Sequence, residues 1–545
     1  MTEPYDLETT VLVVGGGIAG LSTAFFLGRL GVRSTLVERH PSTAILPQAR
    51  AINPRSMEIY RSLGLEEEIR GRTSILAELP EMIGVETLTG QERFRIDQLA
   101  MIRPAAALSP TDWALIDQDD LERIVRAHAE ECGADVRFGT ELVSLDADDE
   151  GVTVLVRELQ TGTERRIRAR YVVAADGHRA GVRKLLGVGA DVLLPAVETT
   201  YAVFDADLTD AVRDRKFLLA YLDRPTQGTV LVPLRTLGRW MLGVPNPPEP
   251  ADKSDETVDR QCVEFVREAV GDPDLDVTLV PPVPGWDRKV SHSSTGGWVA
   301  HNLRVGRVFF AGDAAHVVPP SGSYGATTGI QDAHNLAWKL AAVVKGEAGP
   351  ELLDTYEQER LPVARVTLDQ ALLLLHVRHG GSQEELASID DMAMMFGYRY
   401  DSAAIRTDAP APDGLVEDPH SPTGRPGLRA PHVWLERGAD RVSTVDLFTG
   451  AFTLLAGADG EDWIPAASRA AAALGIELSA QRIGGELRDV DGDFLRSYGL
   501  SATGATLVRP DGFVCWRSTD AVADPEATLR EVLVGLLARK QPSAV

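Results

Sequence analysis

The stretch "TTVLVVGGGIAGLSTAFFLGRLGVRSTLVER" limits what this chain can fold into more than any other. Val11 to Val14 is a continuous apolar run, the pattern of a parallel strand covered on both faces. Gly15-x-Gly17-x-x-Gly20 follows it and opens a helix, and a second strand ends at Glu38. In that setting Gly15 permits a tight turn, Gly17 lets the backbone approach a pyrophosphate, and Gly20 lets helix pack on strand. The helix N-terminus, with its unpaired N–H groups, can hold the phosphates. Glu38 stands 18 residues past Gly20, where a carboxylate accepts from ribose hydroxyls and repels a 2′-phosphate. The pattern predicts FAD or NAD rather than NADP as the bound nucleotide.

A chain of 545 residues has room for roughly three to four domains. Its formal net charge of −25 argues against nucleic acid and against an anionic membrane surface as partners. The three cysteines, Cys132, Cys262 and Cys515, form no CxxC, so neither a disulfide framework nor a zinc site is expected. A reducing cytoplasm fits, and the acidic start "MTEPYDLETT" is unlike a signal peptide. The apolar run Val11 to Val32 holds Gly15, Gly16, Gly17, Gly20, Gly28, Arg29 and Gly31, which suits strand, turn and helix better than a membrane span.

Residues 56–70 read as helical, and "DQDDLERIVRAHAEECG" as an amphipathic helix with acids in its first turn. "VTVLVREL" and "ARYVVAADG" read as strands. From about 188 to 290 the pattern changes to β-like runs broken by Pro and Gly ("TTYAVFDADL", "KFLLAYLD", "GTVLVPL", "RWMLGV"), which predicts an inserted sheet domain. "LLDTYEQERLPVARVTLDQALLLLHVR" predicts a long helix kinked near Pro362. A Pro/Gly-rich boundary between about 407 and 432 leads to a small α/β unit. In that unit "STVDLFTGAFTLLAG", "ATLVRP" and "FVCWR" read as strands, and "AASRAAAALG" and 525–539 as helices.

Two further sites carry chemistry. Asp176-Gly177 ends a strand and precedes a helix with Arg183. Asp313, in "FFAGDAAHVVPPSGSYGATTGIQDAHNLAWKL", also ends a strand, where a carboxylate can bind a polyol such as the ribityl chain of a flavin. A helix starting near Ala326, with Gly325, Thr327 and Thr328, can aim backbone N–H groups at the flavin's pyrimidine edge, which is anionic when reduced. NAD has no such part. His316 reads either as a general base or as a structural hydrogen-bonding group beside Asp313, and His334 as packing.

The motifs "GGGIAG…E", "AADG" and "GDAAHVVPP" occur in the order and spacing of the class A flavoprotein monooxygenases, the group with the para-hydroxybenzoate hydroxylase fold. "ARAINPRSMEIYRSLGL", "GIQDAHNLAWKL", "LLDTYEQERLPVA" and "MFGYRYDSAAI" resemble the bacterial aromatic polyketide hydroxylases of the tetracenomycin and aklavinone types. The resemblance spans essentially the whole chain. It implies an α/β fold with a Rossmann-like FAD-binding domain (1–187, with a short excursion at about 75–105 to the substrate domain, and 291–405 with long helices). A β-sheet substrate domain (188–290) is inserted, and a thioredoxin-like domain (406–545) ends the chain. Without a CxxC, Cys515 is expected to pack rather than to do thiol redox chemistry.

The resemblance also implies roles. Gly15, Gly17, Ile18, Ala19, Gly20, Glu38, Val143, Asp313, Pro320, Gly325, Ala326 and Thr327 would bind FAD. Arg39 would lie near the adenine, Gln118 near the ribityl or pyrophosphate part, and Asp176 beside the cofactor and the NADPH path. Arg50 would hold the flavin ring or guide its swing. Tyr221, Trp240, Trp286 and His292 would line an apolar pocket between the inserted sheet and the flavin. NADPH or NADH would reduce FAD, O2 would add as a C4a-hydroperoxide, and one oxygen would pass to a phenolic carbon of an aromatic polyketide, in antibiotic biosynthesis. No metal is needed, and a homodimer is the family expectation. Two positions depart from many relatives: "SGSYGATTG" lacks their Gln and Asn, and position 48 is Gln where several have Arg. A Baeyer–Villiger oxygenase on a polyketide and a non-catalytic FAD-binding protein stand as alternatives. A flavin halogenase is disfavoured, since no "WxWxIP" run occurs.

Overall fold

The structure is a computed structural model that describes residues 5–43, 49–99, 104–250, 252, 254–283, 285–378, 390–410 and 414–539. Gln48 lies outside the described residues.

The first sheet is built on the glycine-turn strand Leu7–Val14. Val11 to Val14 pair in parallel with Tyr171 to Ala174 of Glu164–Ala174 on one side and with Ser34 to Val37 of Ser34–Glu38 on the other. Val308–Phe310 and Asp135–Phe138 extend the parallel core, and Val152–Glu158 and Thr140–Ala147 form an antiparallel flap. Val11 to Val14 are buried, as a sheet covered on both faces requires. Helix α1 is Ile18–Arg29 and α2 is Pro54–Ser62, capped by Asn53, whose side chain accepts from Ser56 N–H. A turn at Gly64 separates α2 from the short helix Glu66–Arg70, so the stretch read as one helix is two. Helix α3 is Gln118–Glu131.

The second sheet runs in the order 316–317, 290–300, 190–205, 239–245, 229–233, 219–222, 81–85, 92–97, with 278–280 also pairing with 190–205. Strands Glu81–Val85 and Glu92–Asp97 therefore join a sheet built mostly from residues more than a hundred positions later. Helix α4, Asp255–Val270, covers one face; the reading of 188–290 as sheet missed it, although Ser254 caps it and Asp255 and Glu256 stand in its first turn. Ile83, Ala220, Leu231, Leu242, Ala202 and Phe204 turn to that helix and pack with Phe265, Val266 and Ala269. Their alternate neighbours Gly84, Tyr221, Val230, Gly243 and Tyr201 stand in register on the other face.

Helix α5 is Tyr324–Val344 and α6 is Asp354–Arg378, which runs unbroken through Pro362. Proline removes one N–H from the helix ladder, and the helix continues on both sides of it. The last unit holds a four-stranded sheet in the order 478–482, 452–456, 505–508, 514–518, a small three-stranded sheet, and helices α7 (Trp463–Leu474) and α8 (Pro525–Leu536). The stretch read as one strand from Ser443 is first a 3-10 turn, because Ser443 and Asp446 form a capping box. Cys515 is buried, donates to Leu507 O at 3.3 Å, and has its thiol pKa pushed up by burial, which suits packing. Among the described residues no helix is long and apolar enough to cross a membrane.

Candidate functional site

The glycine turn separates two kinds of glycine. Gly15 has φ +111°, and a Cβ there would sit 2.1 Å from Ala175 O. A Cβ on Gly20 would sit 2.0 Å from Gly15 O. Both are demanded by the chain's own packing. Gly17 is different: it has ordinary extended geometry at the N-cap of α1, is exposed, and a Cβ would meet nothing closer than Glu122 Oε1 at 3.9 Å. The space beside it lies open at a helix end with no side-chain cap and no acid in its first turn, which is where a pyrophosphate can sit.

The Glu38 carboxylate accepts from Gly16 N at 2.6 Å, His40 N at 2.8 Å and His40 Nδ1 at 2.6 Å. Burial pushes its pKa up, but the bonds from His40 and Gly16 outweigh that and hold it below the usual carboxylate range. Arg39 is exposed and faces Asp176 and Arg179 electrostatically. Asp176 accepts from Val182 N at 2.9 Å through Oδ2, while its Oδ1 is buried without a partner. Val143 sits at a register shift between Leu142 and Ser144, unpaired in its ladder.

The second motif meets the first directly. Gly312, with φ +58°, leaves room where a Cβ would lie 2.8 Å from Ala19 Cβ, and a Cβ on Gly329 would lie 3.2 Å from the same atom. Helix α1, the turn Gly312–Ala314 and helix α5 thus cross at one point. Asp313 projects from that turn with accessible surface, and no described residue donates to its carboxylate. The protein crowded round it still dehydrates the group and raises its pKa, against the charge of His316.

His316 is anchored. Its Nε2 lies 2.7 Å from Asp332 Oδ2, which also accepts from Gly312 N at 3.0 Å, and Asp332 Oδ1 accepts from Arg360 Nε at 2.7 Å. Burial opposes the Asp332 charge, but Arg360 and His316 bring its pKa down to about 2. The structural reading of His316 is the one this geometry supports, with Nδ1 buried and unpartnered. His334 packs edge-on against Phe26 at 5.3 Å, and burial pushes it down to about 4. Helix α5 starts at Tyr324, two residues before the expected start, with Ser323 left-handed at its N-cap. Gly325 and Ala326 are half-buried and Pro320 is exposed. The Thr327 hydroxyl turns back to Ser323 O and Tyr324 O, which leaves only its backbone for a ligand.

Arg50 joins the second sheet to the start of α3: Nη2 donates to Pro233 O at 3.2 Å and Nη1 lies 3.6 Å from Asp117. Gln118 donates to Glu122 Oε1 at 2.9 Å. Of the four expected substrate-lining residues, only Tyr221 lies on the sheet face opposite α4. Trp240 pairs with Phe204, so strand alternation turns it to the α4 side, where it packs 6.2 Å from Phe217 and donates to Ala206 O. His292 shares that parity through Thr200, its Nδ1 partner at 3.0 Å. Trp286 lies 5.4 Å from the His40 ring, at the Glu38 end. Sequence reasoning missed Glu122, His40, Asp332 and Arg360. Only Glu122 left a local trace, four residues after Gln118 on one helix.

The crossing of a nucleotide-type glycine turn with a free carboxylate and a second helix N-terminus defines a flavoprotein of the α/β class. Residues 8–371 match the FAD binding domain family, and residues 423–539 match the aromatic-ring hydroxylase C-terminal family. The chain is 41% identical to the tetracenomycin A2 monooxygenase-dioxygenase of Streptomyces glaucescens, covering 98% of this chain and 97% of the relative. It is 42% identical to the 4-methyl-5-nitrocatechol 5-monooxygenase of a Burkholderia species, covering 98% and 99%. The crystal structure of aklavinone-11 hydroxylase with FAD and aklavinone superposes with a TM-score of 0.85 at 35% identity, covering 99% and 100%. The chain belongs to the FAD-dependent aromatic-ring hydroxylases and is a flavin-dependent aromatic monooxygenase.

The residues present fit FAD: open space beside Gly17, an unpartnered Asp313, and unpaired buried atoms on Asp176 and His316. Asp313→Asn keeps the shape and removes the charge. It is expected to weaken FAD binding by about 10- to 100-fold, the loss of a charge-assisted hydrogen bond. Fluorescence titration of apoprotein with FAD measures this, and unchanged affinity rejects the ribityl role.

Proposed function

We propose that this enzyme uses NADPH or NADH and O2 to hydroxylate a phenolic ring of a polycyclic aromatic polyketide, as a cytoplasmic step in antibiotic biosynthesis. The observation that carries the reading is the close approach of Ala19, Gly312 and Gly329, which joins the first turns of α1, the turn of Asp313 and the first two turns of α5. Full-length likeness to an enzyme named for tetracenomycin, and to a hydroxylase solved with aklavinone, supports the substrate class. FAD, reduced by the nicotinamide, would supply the O2 activation that delivers one oxygen atom to the ring.

Each group then has a defined task. The α1 N–H groups and the gap at Gly17 take the pyrophosphate, Glu38 takes ribose hydroxyls, and Asp313 takes the ribityl chain. The α5 N-terminus favours negative charge at the pyrimidine edge. Arg50, held by Pro233 O, sets the spacing between the cofactor unit and the second sheet. The face of that sheet with Tyr221 offers the substrate an apolar wall and keeps water out.

A second reading is a monocyclic substituted phenol as substrate, favoured by the 42% identity to the nitrocatechol monooxygenase. Anaerobic mixing of the holoenzyme with NADPH separates them. Flavin bleaching accelerated by a naphthacene-type phenol, and not by a nitrocatechol, is expected. The reverse preference would favour the second reading. A flavin that stays oxidised with both would reject the NADPH-dependent hydroxylase.

A further inference from the structure

Glu122 is a carboxyl group that the expected chemistry does not use. It sits on α3, buried to 6% exposure, at the open end of α1. Its Oε1 is the nearest atom to the space beside Gly17 and accepts from the Gln118 amide at 2.9 Å. The backbone N–H of Ile18, at the start of α1, favours its charged form. The charged and titratable groups facing it are Glu38 at the end of Ser34–Glu38 with its partner His40, Asp119 on its own helix, and Tyr60 of α2. Among the described residues, the two charges that act on it most, Asp119 and Glu38, are negative. No cation from α1, α2 or α3 pairs with it among the described residues.

A diphosphate seated at the α1 N-terminus would bring further negative charge against this carboxyl. We propose that Glu122 is a cofactor-site residue that enters the FAD complex as a neutral acid, taking one proton from solvent as FAD binds. The proposal rests on the FAD assignment and adds the protonation state of one wall of the site. In the ligand-free protein, burial, with Asp119 and Glu38 adding to it and the Gln118 bond opposing it, raises the Glu122 pKa to about 7. FAD raises it further, since like charge disfavours the ionised form.

The sign follows. Below the ligand-free pKa, Glu122 is neutral with or without FAD, and affinity does not depend on it. Above that pKa, a proton must be acquired on binding, so affinity falls as pH rises until the pKa of the complex is passed.

The test is FAD binding to full-length apoprotein across pH, read by fluorescence quenching, with proton uptake from calorimetry in two buffers of different ionisation enthalpy. The wild-type dissociation constant is expected to rise about tenfold between roughly pH 7.5 and 8.5, the slope of one proton per ligand, with close to one proton taken up. Glu122→Gln, a neutral isostere, should bind with no slope in that window and no uptake. A slope that survives in Glu122→Gln and vanishes in His40→Asn overturns the proposal and assigns the proton to His40. Wild-type binding with no uptake overturns it without recourse to any variant. Weaker binding by Glu122→Gln with the wild-type slope retained would reduce Glu122 to a helix cap and also overturns it. Failure of wild-type apoprotein to bind FAD at any pH would instead reject the FAD assignment.

Discussion

Gly17→Ala is expected to fold with the stability of the parent and to bind FAD about 100-fold more weakly, ~2.7 kcal/mol. Three glycines of one turn differ in what surrounds them. An added methyl at Gly17 would meet Glu122 Oε1 at 3.9 Å, an ordinary contact, in a backbone geometry open to any residue. Nothing in the chain forbids it, so any cost must fall on what the chain binds there. Gly15 and Gly20 give the opposite result. Their added methyls would stand 2.1 Å and 2.0 Å from backbone oxygens, which cannot swing away. Gly20→Ala is therefore expected to lower stability by ~3 kcal/mol or more, through overpacking at a strand–helix contact. Thermal midpoints of the apoproteins read the first quantity, and FAD titration reads the second. Native affinity in Gly17→Ala would mean that the pyrophosphate lies elsewhere.

The same contrast explains what was legible in the sequence. The glycine turn, Glu38 and Asp313 stand at strand ends, where a few adjacent residues fix geometry, and their placement follows from local pattern. Side-chain facing in the second sheet does not. "GRWMLGV" alternates, but nothing local says which parity meets α4, and Trp240 falls on the α4 side while Tyr221 does not. Ser443 shows a local signal misread: its capping box with Asp446 outweighs the β-branched residues that follow. The partners of buried charges are the least legible. Asp332 meets Arg360 across two helices, and Glu359 meets Arg509 across two units 150 residues apart. Only the packed chain brings them together.

That last pair yields the second large effect. Glu359→Gln is expected to lower stability by about 3–5 kcal/mol, the cost of removing one partner from a buried ion cluster. Glu359 of α6 is fully buried and accepts from Arg509 at 2.6 and 2.9 Å, Lys339 at 2.7 Å, Asn335 at 2.7 Å and Ser402 at 2.6 Å. Asp511 neutralises Arg509 from the other side, with Nε–Oδ1 at 3.0 Å. Two cations and two anions balance; glutamine leaves two cations against one anion. Burial already pushes Lys339 down to about 8, with Arg509 adding to it and Glu359 opposing it. Without Glu359 it should fall further and shed its proton in the native state near neutral pH. The native state then binds fewer protons than the unfolded one, so variant stability rises with pH, and from a lower pH than in the parent. Denaturant unfolding at neutral and alkaline pH measures both the loss and its recovery. Glu359→Gln combined with Lys339→Met removes the stranded cation and should regain part of the loss. A Glu359→Gln chain as stable as the parent at neutral pH, or a double variant no better than the single, would mean that this cluster does not hold the C-terminal unit to the flavin unit by charge balance.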